Sequence, residues 1–216
     1  MTIRHHLSDP LLMAYSAGHL PEAFSLVVAT HLSLCDECRS RLMAYEALGG
    51  AVIGAAVETL TAPDSMAASI ARITLLPQQA AAPEPRRGDR GLFPAPLRDY
   101  VGGDLAAVKW RSIGLGVRQA ILPTRGDASA RLLFIPAGRA VPDHGHRGME
   151  LTLVLQGAFR DVTDRFGPGD IEIATEELEH TPVAEAGVDC ICLSATDAPL
   201  RFNKLIPRIA QPFLRI

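Results

Sequence analysis

Three residues near the N-terminus, His31, Cys35 and Cys38, have the types and the spacing of metal ligands. His31 and Cys35 are one helical turn apart, so they share a helix face, and the C-x2-C pair brings two thiols close together. An imidazole and two thiolates suit zinc, which takes a fourth ligand to complete a tetrahedron. The candidates for that fourth ligand in the same region are His5, His6 and His19.

Two other interpretations account for the same three residues. A helix histidine with a satisfied hydrogen bond and two cysteines that pack in a core would leave no metal site. A redox switch formed by Cys35 and Cys38 would leave His31 without a role. Because cysteine is scarce in the chain and a three-ligand spacing seldom arises by accident, zinc binding is the favoured interpretation.

A second cluster of candidate ligands has the spacing Gly138-x5-His144-x-His146-x3-Glu150-x6-Gly157. Two histidines at i and i+2 point to the same side of an extended chain, and a nearby carboxylate adds an oxygen donor. Three such ligands leave positions open for water, oxygen or substrate. His180, beside a predicted strand, is the natural fourth ligand. The alternative is a turn whose histidines face solvent.

Cys190 and Cys192 lie two residues apart in the predicted strand DCICLSA, so both side chains face one way. Buried core packing is the favoured interpretation, because cysteine is among the most frequently buried residue types. Redox sensing is the alternative.

The elements that must position these residues change character along the chain. Before residue 77 the apolar residues recur at helical spacing, and four helices are predicted, beginning near Asp9, Pro21, Asp36 and Pro63. The first ends at Gly18, and the third weakens at Gly49–Gly50. Met66, Ile70, Ile73 and Leu76 give the fourth helix one apolar stripe.

A proline-rich linker is predicted at residues 77–97, where neither helix nor strand should persist. After it, short runs rich in β-branched and aromatic residues alternate with turn signals, as in a β-sandwich or barrel. These runs are VKWRSI, GVRQAIL, ARLLFIP, ELTLVLQG, DIEIA, HTPVAE and DCICLSA. The predicted domains are therefore residues 1–76 and 98–216.

Composition limits the function. The chain has 216 residues and a net charge of −3, which is typical of an ordinary globular protein. Such a charge is unsuited to neutralising DNA phosphates, so direct DNA binding is not expected. The N-terminus lacks the apolar run of a signal peptide, and no apolar stretch reaches 18 residues, so a cytoplasmic location without membrane contact is expected. The partner is expected to be a protein or a small molecule.

Two resemblances now become specific. His6, followed after 24 residues by His31-x3-Cys35-x2-Cys38 in a small helical region, resembles the zinc anti-sigma domain, which implies His6, His31, Cys35 and Cys38 as the ligands. The segment VPDHGHRGMELTLVLQGAFRD resembles the first cupin motif, which implies a cupin barrel with the ligands His144, His146, Glu150 and His180.

Together the two regions resemble ChrR-type zinc anti-sigma factors over essentially the whole chain. The fold class implied is multidomain α + β: a small helical bundle of about four helices joined to an antiparallel cupin barrel. The function implied is a non-enzymatic regulator with no catalytic residues. It would inhibit one extracytoplasmic-function sigma factor per chain and release it under singlet oxygen or organic hydroperoxide stress. Zinc would be the metal at both sites.

The alternative from another class is a metal-dependent cupin enzyme, a dioxygenase or isomerase, that carries a helical regulatory module. The sequence departs from the second cupin motif at Thr175–Glu177, and no further acid–base residue lies at a recognisable spacing. Both observations favour the regulator.

Overall fold

The computed structural model describes residues 2–55, 64–76, 91–199 and 201–202. Within these residues, the chain up to Glu46 and from Gly91 onward forms one compact unit, and the stretch Ala47–Arg90 belongs to a second. The boundaries of these units differ from those of the predicted domains, residues 1–76 and 98–216. The predicted domain boundaries stay predictions. Most of the predicted linker, residues 77–90, lies outside the described residues.

The described residues contain five α-helices: α1 (Asp9–Ser16), α2 (Glu22–Leu32), α3 (Asp36–Ala55), α4 (Ser65–Leu75) and α5 (Ala95–Val101). α1 starts with Pro10 in its first turn, where the missing N–H breaks no helical hydrogen bond. Gly18 follows α1 with a φ of +69°, a left-handed conformation that favours glycine. The four helices predicted before residue 77 are all present.

Two details of the helix prediction are wrong. α3 continues through Gly49–Gly50 to Ala55, because each glycine costs a helix only about 1 kcal/mol and the flanking residues are good helix formers. α5 begins inside the predicted linker, at Ala95. Pro96 is tolerated there because it lies in the first turn, and Leu97 gains stability by complete burial.

The rest of the described chain forms antiparallel sheets. The strands are β1 (Arg111–Gly114), β2 (Val117–Leu122), β3 (Ser129–Ile135), β4 (His144–Gly145), β5 (Glu150–Gln156), β6 (Phe159–Arg160), β7 (Arg165–Phe166), β8 (Ile171–Ala174), β9 (Glu179–His180), β10 (Val183–Ala184), β11 (Cys190–Thr196) and β12 (Arg201–Phe202). Among the described residues, the largest sheet has the order β1-β2-β3-β11-β5-β8, and two three-stranded sheets have the orders β10-β6-β7 and β12-β4-β9. The predicted fold class, helices followed by an antiparallel β-barrel, is confirmed.

The two faces of the largest sheet have different partners. One face carries leucines such as Leu132 and Leu193, which share a hydrophobic core with Phe24 and Val27 of α2. The opposite face lines the barrel with a second cluster that includes Val154 and the two cysteines of β11. α2 therefore packs directly on the barrel. Whether the helical region also folds without the barrel stays a prediction.

Among the described helices, none is both long enough and apolar enough to span a membrane.

Candidate metal centres

The first candidate centre joins residues from four consecutive stretches of the N-terminal chain. His6 lies in the extended arm before α1, His31 in the last turn of α2, Cys35 between α2 and α3, and Cys38 in the first turn of α3. Their ligand atoms all lie within 4.8 Å of one another. His31 and both cysteines are buried, whereas His6 is partly exposed. The structure thus brings together the four residues that the sequence predicts as the zinc site.

The distances fit a tetrahedral ion. His6 Nδ1 lies 3.3 Å from Cys35 Sγ and 3.6 Å from Cys38 Sγ, and His31 Nε2 lies 3.3 Å from Cys38 Sγ. Zinc bonds of about 2.3 Å to sulfur and 2.0 Å to nitrogen separate the ligand atoms of a tetrahedron by roughly 3.3 to 3.8 Å. Two imidazoles and two thiols at these separations are a donor set that zinc would fill.

Burial sets the protonation state of this first centre. Desolvation lowers the pKa of His31 to about 4, so its ring is neutral near pH 7, as a ligand must be. His31 Nδ1 donates a hydrogen bond to the Gly169 carbonyl at 3.0 Å, which leaves the Nε2 lone pair directed at the cysteines. Burial raises the pKa of the Cys38 thiol to about 11. A bound cation would reverse that effect, because a coordinating thiol loses its proton.

The other two candidates for the fourth ligand lie outside this group. His5 points to the opposite side of the arm, where its Nε2 lies 3.0 Å from Asp164 Oδ2 and its ring packs on Phe166. His19 is exposed in the turn after α1. Among the three histidines that the sequence left open, the geometry favours His6. As zinc ligands, the four residues stay a prediction.

The second candidate centre lies inside the barrel. His144 on β4, His146 just after it and His180 on β9 are buried, and their ring nitrogens lie within 4.8 Å of one another. The antiparallel pairing of β4 with β9 places His144 directly opposite His180. His146 Nε2 and His180 Nε2 face each other at 3.3 Å. Three convergent imidazoles suit a divalent metal such as zinc and leave further positions open.

Two carboxylates lie behind His180. Its Nδ1 donates to Asp161 Oδ2 at 2.6 Å and lies 3.3 Å from Glu172 Oε1. Burial opposes protonation of His180, but Glu172 and Asp161 together raise its pKa to about 9. Burial raises the pKa of Glu172 to about 7. Without a bound ion the His180 ring is therefore protonated near pH 7, and a cation would have to displace the proton on Nε2. Asp161 and Glu172 would then hold the remaining proton on Nδ1 and leave the Nε2 lone pair directed at the centre of the cluster, as carboxylate partners of metal-bound histidines do.

Glu150 is the predicted ligand that the structure does not place in the histidine group. Its Oε2 lies 3.5 Å from Nδ1 of His146, and its Oε1 accepts hydrogen bonds from the Thr152 and Ser194 hydroxyls. Among the described residues, His146 Nδ1 is buried and has no hydrogen-bond partner. The Glu150 carboxylate therefore faces the back of one ligand ring, and its role as a fourth ligand stays a prediction.

Sequence reasoning missed Asp161 and Glu172. Glu172 is a buried charge in the otherwise apolar strand β8, and its alternation with Ile171 and Ile173 placed it on one face of that strand. An acidic residue at an inward position of an apolar strand is a usable signal, because charges are seldom buried without a partner. Asp161 follows a short strand and carries no comparable signal.

Cys190 and Cys192 are both buried on the barrel side of β11, with their sulfurs 3.5 Å apart. The neighbouring Cys190 thiol and burial raise the pKa of Cys192 well above its ordinary value. Core packing, the favoured interpretation, agrees with this placement.

Known proteins resemble the chain over most of its length. A family described as the ChrR cupin-like domain matches residues 99–198. The anti-sigma-E factor ChrR of Cereibacter sphaeroides is 64% identical over 216 residues, 100% of both proteins. A crystal structure of Rhodobacter sphaeroides SigE in complex with the anti-sigma ChrR matches with a TM-score of 0.80 and 62% identity, over 91% of this chain and 100% of that one.

Proposed function

The chain belongs to the ChrR family of anti-sigma factors, and we propose that it binds one extracytoplasmic-function sigma factor and keeps it from RNA polymerase. The family consists of regulators rather than enzymes, so the alternative of a cupin dioxygenase or isomerase is set aside. Because the proposed partner acts on RNA polymerase, the proposed location is the cytoplasm.

The observation that carries the proposal is the exposed apolar stripe of α4. Met66, Ile70 and Ile73 recur at helical spacing on one face, and they are 74%, 53% and 60% exposed. None of the α4 residues is buried. An amphipathic helix that leaves its apolar stripe in water is suited to bind the groove of a partner protein.

The second half of α3 also carries exposed apolar side chains. Leu48, Val52 and Ile53 are 59%, 64% and 77% exposed, although they lie in a helix. Isolated exposed apolar residues need no explanation, but several on two consecutive helices indicate a binding surface. The related anti-sigma ChrR is in complex with the sigma factor SigE, so the proposed partner of this surface is a sigma factor.

Zinc at the first centre would hold the first part of the helical region in a fixed arrangement. The ion would tie the arm, the end of α2 and the start of α3 together through His6, His31, Cys35 and Cys38. A structural metal contributes its binding free energy to folding, because a preformed site rarely exists in the unfolded chain.

The proposed signal is singlet oxygen or an organic hydroperoxide, and the barrel is the proposed sensor. Its histidine centre has the chemistry for a second zinc ion with open positions, and the family resemblance supplies the type of stress. Release requires that the signal stabilise the unbound state relative to the bound one, through metal loss, ligand oxidation or rearrangement.

Co-purification with a co-expressed sigma factor tests the proposal. The variant Ile70→Glu places a charge in the α4 stripe, whereas Ala68→Glu places the same charge on the opposite side of the helix. We expect Ile70→Glu to weaken co-purification and to restore transcription from a sigma-dependent promoter, and Ala68→Glu to behave as the wild type. Equal binding by all three chains would contradict the proposed surface.

A further inference from the structure

One segment of the barrel contacts both metal centres. This linking segment, residues 161–172, runs from the end of β6 through β7 to the start of β8. We propose that the linking segment positions two ligands of the first centre, His31 and His6, and makes metal retention there depend on His180 of the second centre. The inference deepens the proposed function and rests on it for the two metals, but it does not require sigma binding.

The first contact is made by Gly169. Its carbonyl oxygen accepts the hydrogen bond from His31 Nδ1 at 3.0 Å, in a buried setting. Gly169 has a φ of +86°, which favours glycine, and its N–H donates to the Val154 carbonyl at 2.8 Å. The acceptor that orients the His31 ring is therefore fixed to the barrel sheet.

The second contact holds the arm that carries His6. Asp170 Oδ1 accepts hydrogen bonds from the backbone N–H groups of Arg4 and His5, at 2.6 and 3.0 Å. Ile171 N donates to the His5 carbonyl at 3.3 Å, so the arm pairs with the start of β8. Asp170 is itself buried, and its Oδ2 accepts from Gly167 N at 2.8 Å. The backbone position of His6 follows directly from these bonds to its two predecessors.

The same segment ends at the second centre. Glu172, two residues after Asp170, lies 3.3 Å from His180 Nδ1, and Asp161 accepts from that nitrogen at 2.6 Å. At the Asp161 end, Asp164 reaches back to His5 Nε2 at 3.0 Å. Both ends of the segment thus contact His180, and its middle contacts the arm and His31. A displacement of His180 would move Glu172, and Glu172 is only two residues from Asp170, which binds the arm of the first centre.

Cobalt makes the first centre separately observable. Co²⁺ bound by thiolates absorbs in a sulfur-to-metal charge-transfer band, and the predicted ligands of the second centre include no sulfur. The experiment loads the full-length chain with Co²⁺, adds a chelator and follows the decay of that band. Cys38→Ser, which removes one thiolate, identifies the signal of the first centre.

Asp170→Asn tests the positioning role, with Asp189→Asn as the matched control. Asp189 Oδ1 also accepts a backbone N–H, from Ala137, but that bond lies within the barrel. We expect Asp170→Asn to keep its full cobalt content and to release it about 10-fold faster, because outer partners of metal ligands typically affect affinity by about 10- to 100-fold. Equal release rates for the two variants would overturn the positioning role.

If Asp170→Asn does not fold, Asp164→Ala decides. The Asp164 side chain is 49% exposed, so this substitution is tolerated, and it removes the side-chain bond to His5. We expect a smaller, severalfold increase in the release rate with unchanged cobalt content. An unchanged release rate would overturn the proposal.

The coupling is tested by His180→Ala against His144→Ala. Each substitution removes one imidazole from the second centre, but His144 Nδ1 donates to the Pro142 carbonyl, whereas His180 Nδ1 donates to Asp161 of the linking segment. We expect His180→Ala to accelerate decay of the thiolate band severalfold and His144→Ala to leave it near the wild-type rate. Equal acceleration by both would assign the effect to loss of the second metal, and no acceleration by either would remove the coupling. Either result overturns this part of the proposal without touching sigma binding.

Discussion

The first candidate centre takes all four ligands from the initial 38 residues, whereas the second takes its histidines from strands separated by more than thirty residues. Two thiols and two imidazoles complete a tetrahedron and leave no position for another molecule. Three imidazoles backed by Asp161 and Glu172 leave positions open. The two centres would therefore give the proposed metals separate roles: the first would hold a binding region together, and the second would be open to small molecules.

The largest effect is expected when the first centre loses one of its proposed ligands. We expect His6→Ala to lower the zinc content by one ion per chain and to abolish sigma binding, because a three-ligand site no longer closes the tetrahedron. Metal analysis and co-purification measure both effects. His19→Ala is the control, since His19 is exposed in a turn. If His5→Ala removed the ion instead, the ligand register would be off by one residue.

Removal of the barrel should separate inhibition from release. A fragment ending near Gln79 keeps the four ligands of the first centre and the α4 stripe, so we expect it to inhibit the sigma factor and not to release it under singlet oxygen. It should also lose zinc to a chelator faster than the full chain, because Gly169 and Asp170 are missing. Reporter transcription with and without singlet oxygen measures inhibition and release.

Full release by that fragment would contradict a sensing barrel. Loss of inhibition would instead show that the sigma-binding surface extends beyond residue 79.

Substitutions at the second centre should have a smaller effect than truncation. We expect His146→Ala to bind one metal ion fewer, to inhibit normally and to release the sigma factor only in part. The barrel keeps its apolar core of Val154, Phe159 and Cys192 without the metal, so the fold is retained. Metal analysis combined with the same reporter measures the result. A variant that no longer inhibits would place the second centre in the binding region.

The smallest effect is expected at an ion-pair network away from both centres. Arg165 and Arg160 lower the pKa of Glu185 to about 2, through bonds of 2.8 and 2.7 Å. A lowered folded-state pKa stabilises the protein above the unfolded value of about 4.5, and this contribution is lost as the pH falls towards 2.

Chemical denaturation of the wild type and Glu185→Gln should therefore show a small stability difference at pH 7 that decreases below about pH 4.5 and disappears near pH 2, with or without metal. A difference that grew in acid would contradict the assignment. Because the network is partly solvent-exposed, its effect should stay well below that of either metal centre.

The sequence predicted the first centre better than the second because its ligands are local. The C-x2-C pair and the histidine one turn before it specify a geometry through helix periodicity alone. The choice between His5 and His6 could not be made in this way, because neighbours in an extended arm face opposite sides. Deciding which side faces the cysteines requires the contact with Asp164, which lies 159 residues away.

The packing of α2 on the barrel could not be predicted either, because its partner strands are also far away in the sequence. α2 is buried at Phe24, Leu26, Val27 and Val28, on more than one side, which is typical of a helix enclosed by other elements. The apolar residues on several sides of α2 can be recognised in the sequence, but the strands on which α2 packs cannot. Asp161 and Glu172 could not be assigned to His180 for the same reason.

The hydrogen bond from His31 to Gly169 joins residues separated by 138 positions, which has a consequence for the order of events during protein synthesis. A ribosome that adds about 5 to 20 residues per second needs roughly 7 to 28 seconds to travel that distance. During this interval the nascent N-terminal region carries all four proposed ligands of the first centre but lacks the acceptor that orients His31. An ion bound during this interval would therefore be held without the contact that orients one of its ligands.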